Sequence, residues 1–256
     1  MGPLELHYHT YGAGSPLVIL HGLFGSLNNW HSHAAFLGKH FQVFTVDQRN
    51  HGASPHAASM NYTVMADDLR EFIGRHHLAP VHLLGHSMGG KTVMQFALSY
   101  PQEVRKLIVV DIRPQGDPPR HDAILDALWS VDLTAVRSRE DVDAALAPAI
   151  VDPTVRQFLA TNLKRQEDGI YTWKMDLDSI TRNYGALIGP LTSGGRFTGP
   201  ALFVSGGRSD FLTEADHPAI LELFPNAEFV GIPTAGHWVH ADAPDEFRRV
   251  VLEFLA

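Results

Sequence analysis

Short apolar runs of strand length recur along this chain: PLVIL from Pro16, FQVFTV from Phe41, VHLLGH from Val81, KLIVV from Lys106, ALFVSG from Ala201 and AEFVGI from Ala227. A run without polar interruptions is what a strand needs when both of its faces are covered. Helical patterns separate the runs. YTVMADDLREFIGRHH sets Val64, Leu69, Phe72 and Ile73 at helical spacing, and PDEFRRVVLEFL ends the chain as a helix. Such alternation folds as a mostly parallel, doubly wound α/β sheet. LELHYHTYG instead alternates apolar and polar residues and suits a half-exposed strand. Between Ile112 and Gly199 the rhythm stops. HDAILDALWS, SREDVDAALAPAI and PTVRQFLATNLKRQ read as charged, alanine-rich helical stretches, with no strand of the buried type. The expected organisation is a single domain whose core comprises residues 1–111 and 200–256, interrupted by a helical cap insertion over 112–199.

Composition narrows the partners. A net charge of −8 with no basic stripe argues against nucleic acid, whose phosphates need one. The absence of cysteine excludes a disulfide framework, a thiolate nucleophile and a cysteine-ligated metal. No apolar stretch approaches the roughly 20 residues of a membrane span. MGPLELHYHT lacks the basic-then-apolar pattern of a secretory signal, so a cytoplasmic location is expected.

VHLLGHSMGGKTVMQFAL passes from strand to helix through one serine among small residues. GHSMG is G-x-S-x-G in the context that makes it a nucleophile elbow. The tight turn strains the backbone at Ser87, and side chains at Gly85 or Gly89 would collide with neighbouring chain. It also lifts the Ser87 hydroxyl to the carboxyl edge of the sheet, where α/β ligands bind. A serine is a weak nucleophile without a base, and the base needs an orienting acid. Of the sixteen histidines, His237 in IPTAGHWVH follows the last strand and completes the order serine, acid, histidine. Two aspartates fit as the acid: Asp111, ending KLIVVD, and Asp210, in the turn after ALFVSGG. The loop HGLFGS after PLVIL offers the Leu23 N–H, which with that of Met88 forms the expected oxyanion hole. Phe24, Leu125, Trp129 and Trp238 are expected to line the substrate pocket. Asp47, Arg49 and His51 read as scaffold that fixes the loops, and Arg120 and His121 as solvated.

LHGLFGS, VDQRNHGASP, GHSMGGK and AGHWVH together resemble the α/β-hydrolase superfamily. VVDIRP followed by RHDAILDAL narrows the likeness to small bacterial esterases and acyl-CoA thioesterases of the YbfF type, nearly end to end. The resemblance implies that Asp111 is the acid, because in that branch the acid stands at the matching position. Asp210 departs from the branch and occupies the place where most other α/β-hydrolases keep theirs. The implied activity is that of a serine esterase, free of cofactor and metal, cleaving a small-molecule ester or thioester through an acyl-enzyme. The rival readings are a cofactor-free perhydrolase or C–C hydrolase on the same fold, or a slow-turnover receptor for a small ligand.

Overall fold

A computed structural model describes residues 2–192 and 194–256. The strands are β1 (Tyr8–Tyr11), β2 (Pro16–Leu20), β3 (Gln42–Val46), β4 (Val81–His86), β5 (Val104–Val110), β6 (Leu163–Arg165), β7 (Tyr171–Trp173), β8 (Ala201–Gly206) and β9 (Ala227–Ile232). The helices are α1 (His31–Leu37), α2 (Tyr62–Arg75), α3 (Met88–Ser99), α4 (Asp122–Ser130), α5 (Arg139–Leu146), α6 (Pro153–Ala160), α7 (Leu177–Ile188), α8 (His217–Leu223), α9 (Val239–Asp242) and α10 (Pro244–Leu255).

Seven strands form one sheet in the order β1-β3-β2-β4-β5-β8-β9. β1 is antiparallel to β3 and every other pair is parallel. This is the mostly parallel sheet expected from the apolar runs, in the α/β-hydrolase arrangement that the resemblance implies. Five of the runs became the inner strands, whose residues are mostly buried, while AEFVGI became the edge strand β9, of which only Ile232 is buried. The alternating segment became the edge strand β1, which stays half-exposed. Because β2 and β4 are neighbours in the sheet but not in sequence, the loops that leave them meet at its carboxyl edge.

Helix α3 is buried from Met88 to Leu98, as a helix apolar on most sides should be. Its one cation, Lys91, is 1% exposed. The Lys91 ammonium reaches the Asp117 carboxylate at 2.9 Å and the carbonyl oxygens of Gln115 at 2.7 Å and Gly189 at 2.9 Å. These residues are the two stems of the segment that joins β5 to β8, and the stems bond each other through Asp117 N–H and the Ile188 carbonyl at 2.7 Å.

That segment carries α4 to α7. Its apolar residues, among them Leu128, Leu146, Ile180 and Leu187, are buried together with Phe24, Met60, Met65 and Met88. Two features of it depart from the sequence reading. Helix α6 stops at Ala160, where the Thr161 hydroxyl donates back to the Phe158 carbonyl at 2.6 Å. The residues beyond it form an antiparallel hairpin, β6 with β7, instead of continuing the helix. Asp168-Gly169 makes the turn, with Gly169 at φ +86°. Strands of three residues, of which only Leu163 is buried, carry no apolar run, which is why the pattern did not reveal them.

Candidate active site

Ser87 joins β4 to α3 at φ 52°, ψ −118°, a left-handed conformation that costs about 1–3 kcal/mol. The flanking glycines make it feasible. A Cβ on Gly85 would lie 2.2 Å from the Gly89 carbonyl oxygen, and one on Gly89 would lie 2.6 Å from that of His21. Asp111, after β5, is also left-handed at φ 51° and is fully buried. Its Oδ1 accepts from the Gly206 amide at 2.9 Å. Its Oδ2 accepts from the Ser209 hydroxyl and from His237 Nδ1, the latter at 2.7 Å. A carboxylate only accepts, so Nδ1 carries the imidazole proton and Nε2 is free to accept. His237 Nε2 lies 3.1 Å from Ser87 Oγ. Hydroxyl, imidazole and carboxylate thus form one hydrogen-bonded line at the carboxyl edge of the sheet.

Of the two acid candidates, the structure brings Asp111 to His237 and leaves Asp210 apart. The turn after β8 directs Ser209 inward, and the Asp210 side chain is 73% exposed. It pairs instead with Arg120 at 2.6 Å, and that guanidinium holds the Asp210 carboxyl below the usual carboxylate range. Arg120 lies over the Phe211 ring at 4.5 Å, and Phe211 stacks on the His237 imidazole at 3.8 Å and 21°. Arg120 is therefore not simply solvated. Sequence reasoning named neither Ser209 nor Phe211, although both flank the aspartate it singled out.

The loop after β2 presses on the elbow. A Cβ on Gly22 would sit 3.3 Å from that of Ser87. Leu23 follows on this loop, and Met88 is the first residue of α3, so both amides belong to elements that meet at Ser87. Phe24, at φ 60°, donates its N–H to His51 Nε2 at 3.2 Å. His51 Nδ1 in turn donates to the Arg49 carbonyl at 3.0 Å. Asp47 accepts from the amides of Leu27 at 2.7 Å and Ala53 at 2.9 Å. Asp47, Arg49 and His51 are the expected scaffold. The Asn162 side chain adds a bond to the Phe24 carbonyl at 2.7 Å from the insertion side.

A cavity of about 530 Å³ opens beside Ser87. Phe24 and Trp238 line it, with Ile124, Val155 and Phe158 from the insertion. Leu125 and Trp129 do not. Helix α4 turns Leu125 into the buried apolar cluster of the insertion. Trp129, 54% exposed, sits on the outer surface with its indole N–H on the Thr181 hydroxyl at 3.0 Å. Helical spacing placed them on an apolar stripe but could not say which neighbour the stripe would face. A second cavity of about 30 Å³ lies on the other side of Ser87, lined in part by Tyr62, Ile112 and Phe211. His121, read from sequence as solvated, is half-buried and lines both.

Several histidines in and around this site are held neutral. Burial pulls His33 down to about 4, and His51 and His240 to about 3. Their unfolded counterparts titrate near 6.5. Below that pH the unfolded chain therefore binds protons that the folded chain refuses. This contribution to stability is fully present above pH 6.5 and is lost as the pH falls toward 4 and 3. Each such group adds up to about 1.4 kcal/mol per pH unit. The urea midpoint is expected to fall steeply between pH 6.5 and 4.5, and a flat profile there would contradict the burial of these imidazoles. No group of three or more histidine, aspartate or glutamate side chains among the described residues is arranged to hold a metal ion.

Comparison with known proteins places the chain among hydrolases of this fold. Residues 15–134 match the family described as the alpha/beta hydrolase fold. The chain is 39% identical over 264 residues to the sn-1-specific diacylglycerol lipase ABHD11 of Danio rerio, covering 99% of this chain and 83% of that protein. It is 35% identical over 242 residues to esterase YbfF of Escherichia coli, covering 94% and 93%. The solved structure of a marine microorganism esterase superposes with a TM-score of 0.95 at 45% identity, covering 98% of this chain and 99% of that one.

Proposed function

The chain belongs to the α/β-hydrolase family and is a carboxylic ester hydrolase, and from that premise we propose that Ser87 is its nucleophile, His237 its base and Asp111 its acid. The observation that carries this reading is the unbroken line from Asp111 Oδ2 through His237 to Ser87 Oγ, at 2.7 and 3.1 Å. Ser87 Oγ attacks the acyl carbonyl as its proton passes to His237 Nε2. The imidazolium formed is stabilised by Asp111, which keeps its charge. The Leu23 and Met88 amides hold the oxyanion, aided by the N-terminus of α3. His237 then protonates the leaving oxygen, or sulfur in a thioester. It afterwards takes a proton from the water that releases the acid.

Residues 112–199 act as a cap over this centre. The unequal cavities match a substrate with one bulky apolar side and one compact side. Apolar walls reward each added methylene by about 0.8 kcal/mol when it is fully buried. Across p-nitrophenyl esters, kcat/KM should therefore climb with acyl length to a medium chain and then level off or fall as about 530 Å³ fills. A parallel series of acyl-CoA thioesters measures the sulfur leaving group, and the diacylglycerol named for the zebrafish relative belongs in the panel as a glyceride. Activity confined to acetate esters would remove the large cavity from the acyl role.

A further inference from the structure

His121 stands at the foot of the insertion, beside the reaction centre. The Tyr184 hydroxyl on α7 accepts the backbone N–H of Arg120 at 3.0 Å and of His121 at 2.8 Å. The same oxygen lies 3.2 Å from His121 Nδ1. A phenol has one proton to give, and burial raises its pKa, so the proton stays on Tyr184 and is directed at Nδ1. His121 is then the Nε2–H tautomer, and Nε2 has no hydrogen-bond partner among the described residues. Burial, with His237 and Arg120 nearby, lowers its pKa to about 4. At neutral pH the ring is therefore an uncharged donor. Its position completes the argument. Leu23, Ser87 and His121 are the residues common to the walls of the large and the small cavity. An ester with one side in each cavity has its carboxyl group where these three residues meet.

We infer that His121 is a further catalytic residue, donating its Nε2–H from the insertion to an oxygen of the scissile ester. Tyr184 is its positioning residue, since the hydroxyl fixes both the ring and the tautomer. The inference rests on the reading of Ser87 as nucleophile, and it adds a third donor to the two amides. A donor to the ester group acts alike on every substrate that carries one. A residue that only shapes a wall acts selectively on chain length.

The test compares His121→Phe, His121→Gln and Tyr184→Phe with the parent enzyme on p-nitrophenyl acetate, butyrate and octanoate, with thermal melts as the folding control. His121→Phe should lower kcat/KM about 10²-fold for all three esters, as the loss of an oxyanion-hole donor does, chiefly through kcat. His121→Gln keeps an N–H donor and should recover most of that loss. Tyr184→Phe should lower kcat uniformly by a smaller factor. An undiminished kcat in folded His121→Phe, or a loss confined to one chain length or to KM, overturns the inference. If His121→Phe does not fold, Tyr184→Phe decides it by the same criterion: an undiminished kcat, or a loss confined to one chain length or to KM, overturns the inference. Failure of the parent reading looks different: the parent enzyme turns over no ester, or Ser87→Ala turns over as fast as the parent.

Discussion

Ser87→Ala is expected to lower kcat on a p-nitrophenyl ester about 10⁶-fold, to the residual rate that binding and the amide donors supply without a nucleophile. Covalent labelling by a fluorophosphonate is expected to vanish with it. The size of the effect follows from how the hydroxyl is held. The elbow keeps Ser87 at φ 52° whatever its side chain, because the conformation is imposed by β4, α3 and the glycines that let them approach. Alanine shares serine's Cβ and nothing in the fold depends on Oγ, whose one hydrogen-bond partner among the described residues is His237. The variant should therefore fold and melt like the parent. Loss of turnover would then report chemistry and not structure. Persistent labelling of Ser87→Ala would move the nucleophile elsewhere.

Asp111→Asn is expected to cost about 10⁴-fold in kcat, the scale seen when a triad carboxylate becomes an amide. Every contact of Asp111 is a donor: the Gly206 amide on Oδ1, and the Ser209 hydroxyl and His237 Nδ1 on Oδ2. An asparagine must set its NH₂ against one of these. Turned toward Gly206, it opposes an N–H in a fully buried place. Turned toward His237, it forces the proton onto Nε2, the tautomer that cannot accept from Ser87. Asp210→Asn provides the contrast. Its ion pair with Arg120 is exposed, and such pairs contribute little, so the rate should change at most a few-fold. If Asp210→Asn were the crippling change and Asp111→Asn the mild one, the acid would have to be reassigned.

The sheet was legible because a strand covered on both faces has to be apolar throughout, and PLVIL, VHLLGH and ALFVSG meet that demand locally. The elbow was legible because α3 lies so close to β4 at Gly85 and to the end of β2 at Gly89 that neither position has room for a Cβ. The choice between Asp111 and Asp210 was not. Both end strands at the same edge, and only the path of the turn after β8 sends Ser209 inward and Asp210 out. Pocket residues on α4 were half legible. Ile124 faces the large cavity while Leu125, one step on, is buried in the insertion, a rotation of the helix set by α5 and α7 and not by its own periodicity. His121 read as solvated for a similar reason. Its importance comes from Tyr184, more than sixty positions away, and from two cavities that exist only after folding.

The buried ammonium of Lys91 restricts how the molecule can breathe. Pulling the two stems of the insertion off α3 would part that charge from its carboxylate and both carbonyls at once, at a cost of several kcal/mol. The hinge side is in effect bolted to the helix that carries the nucleophile. Elsewhere on the cavity wall the insertion meets the core through two rings, Phe158 of α6 and Trp238, at 5.2 Å. Separating two rings breaks no ion pair, so that contact is held far less firmly than the ammonium is held by its partners.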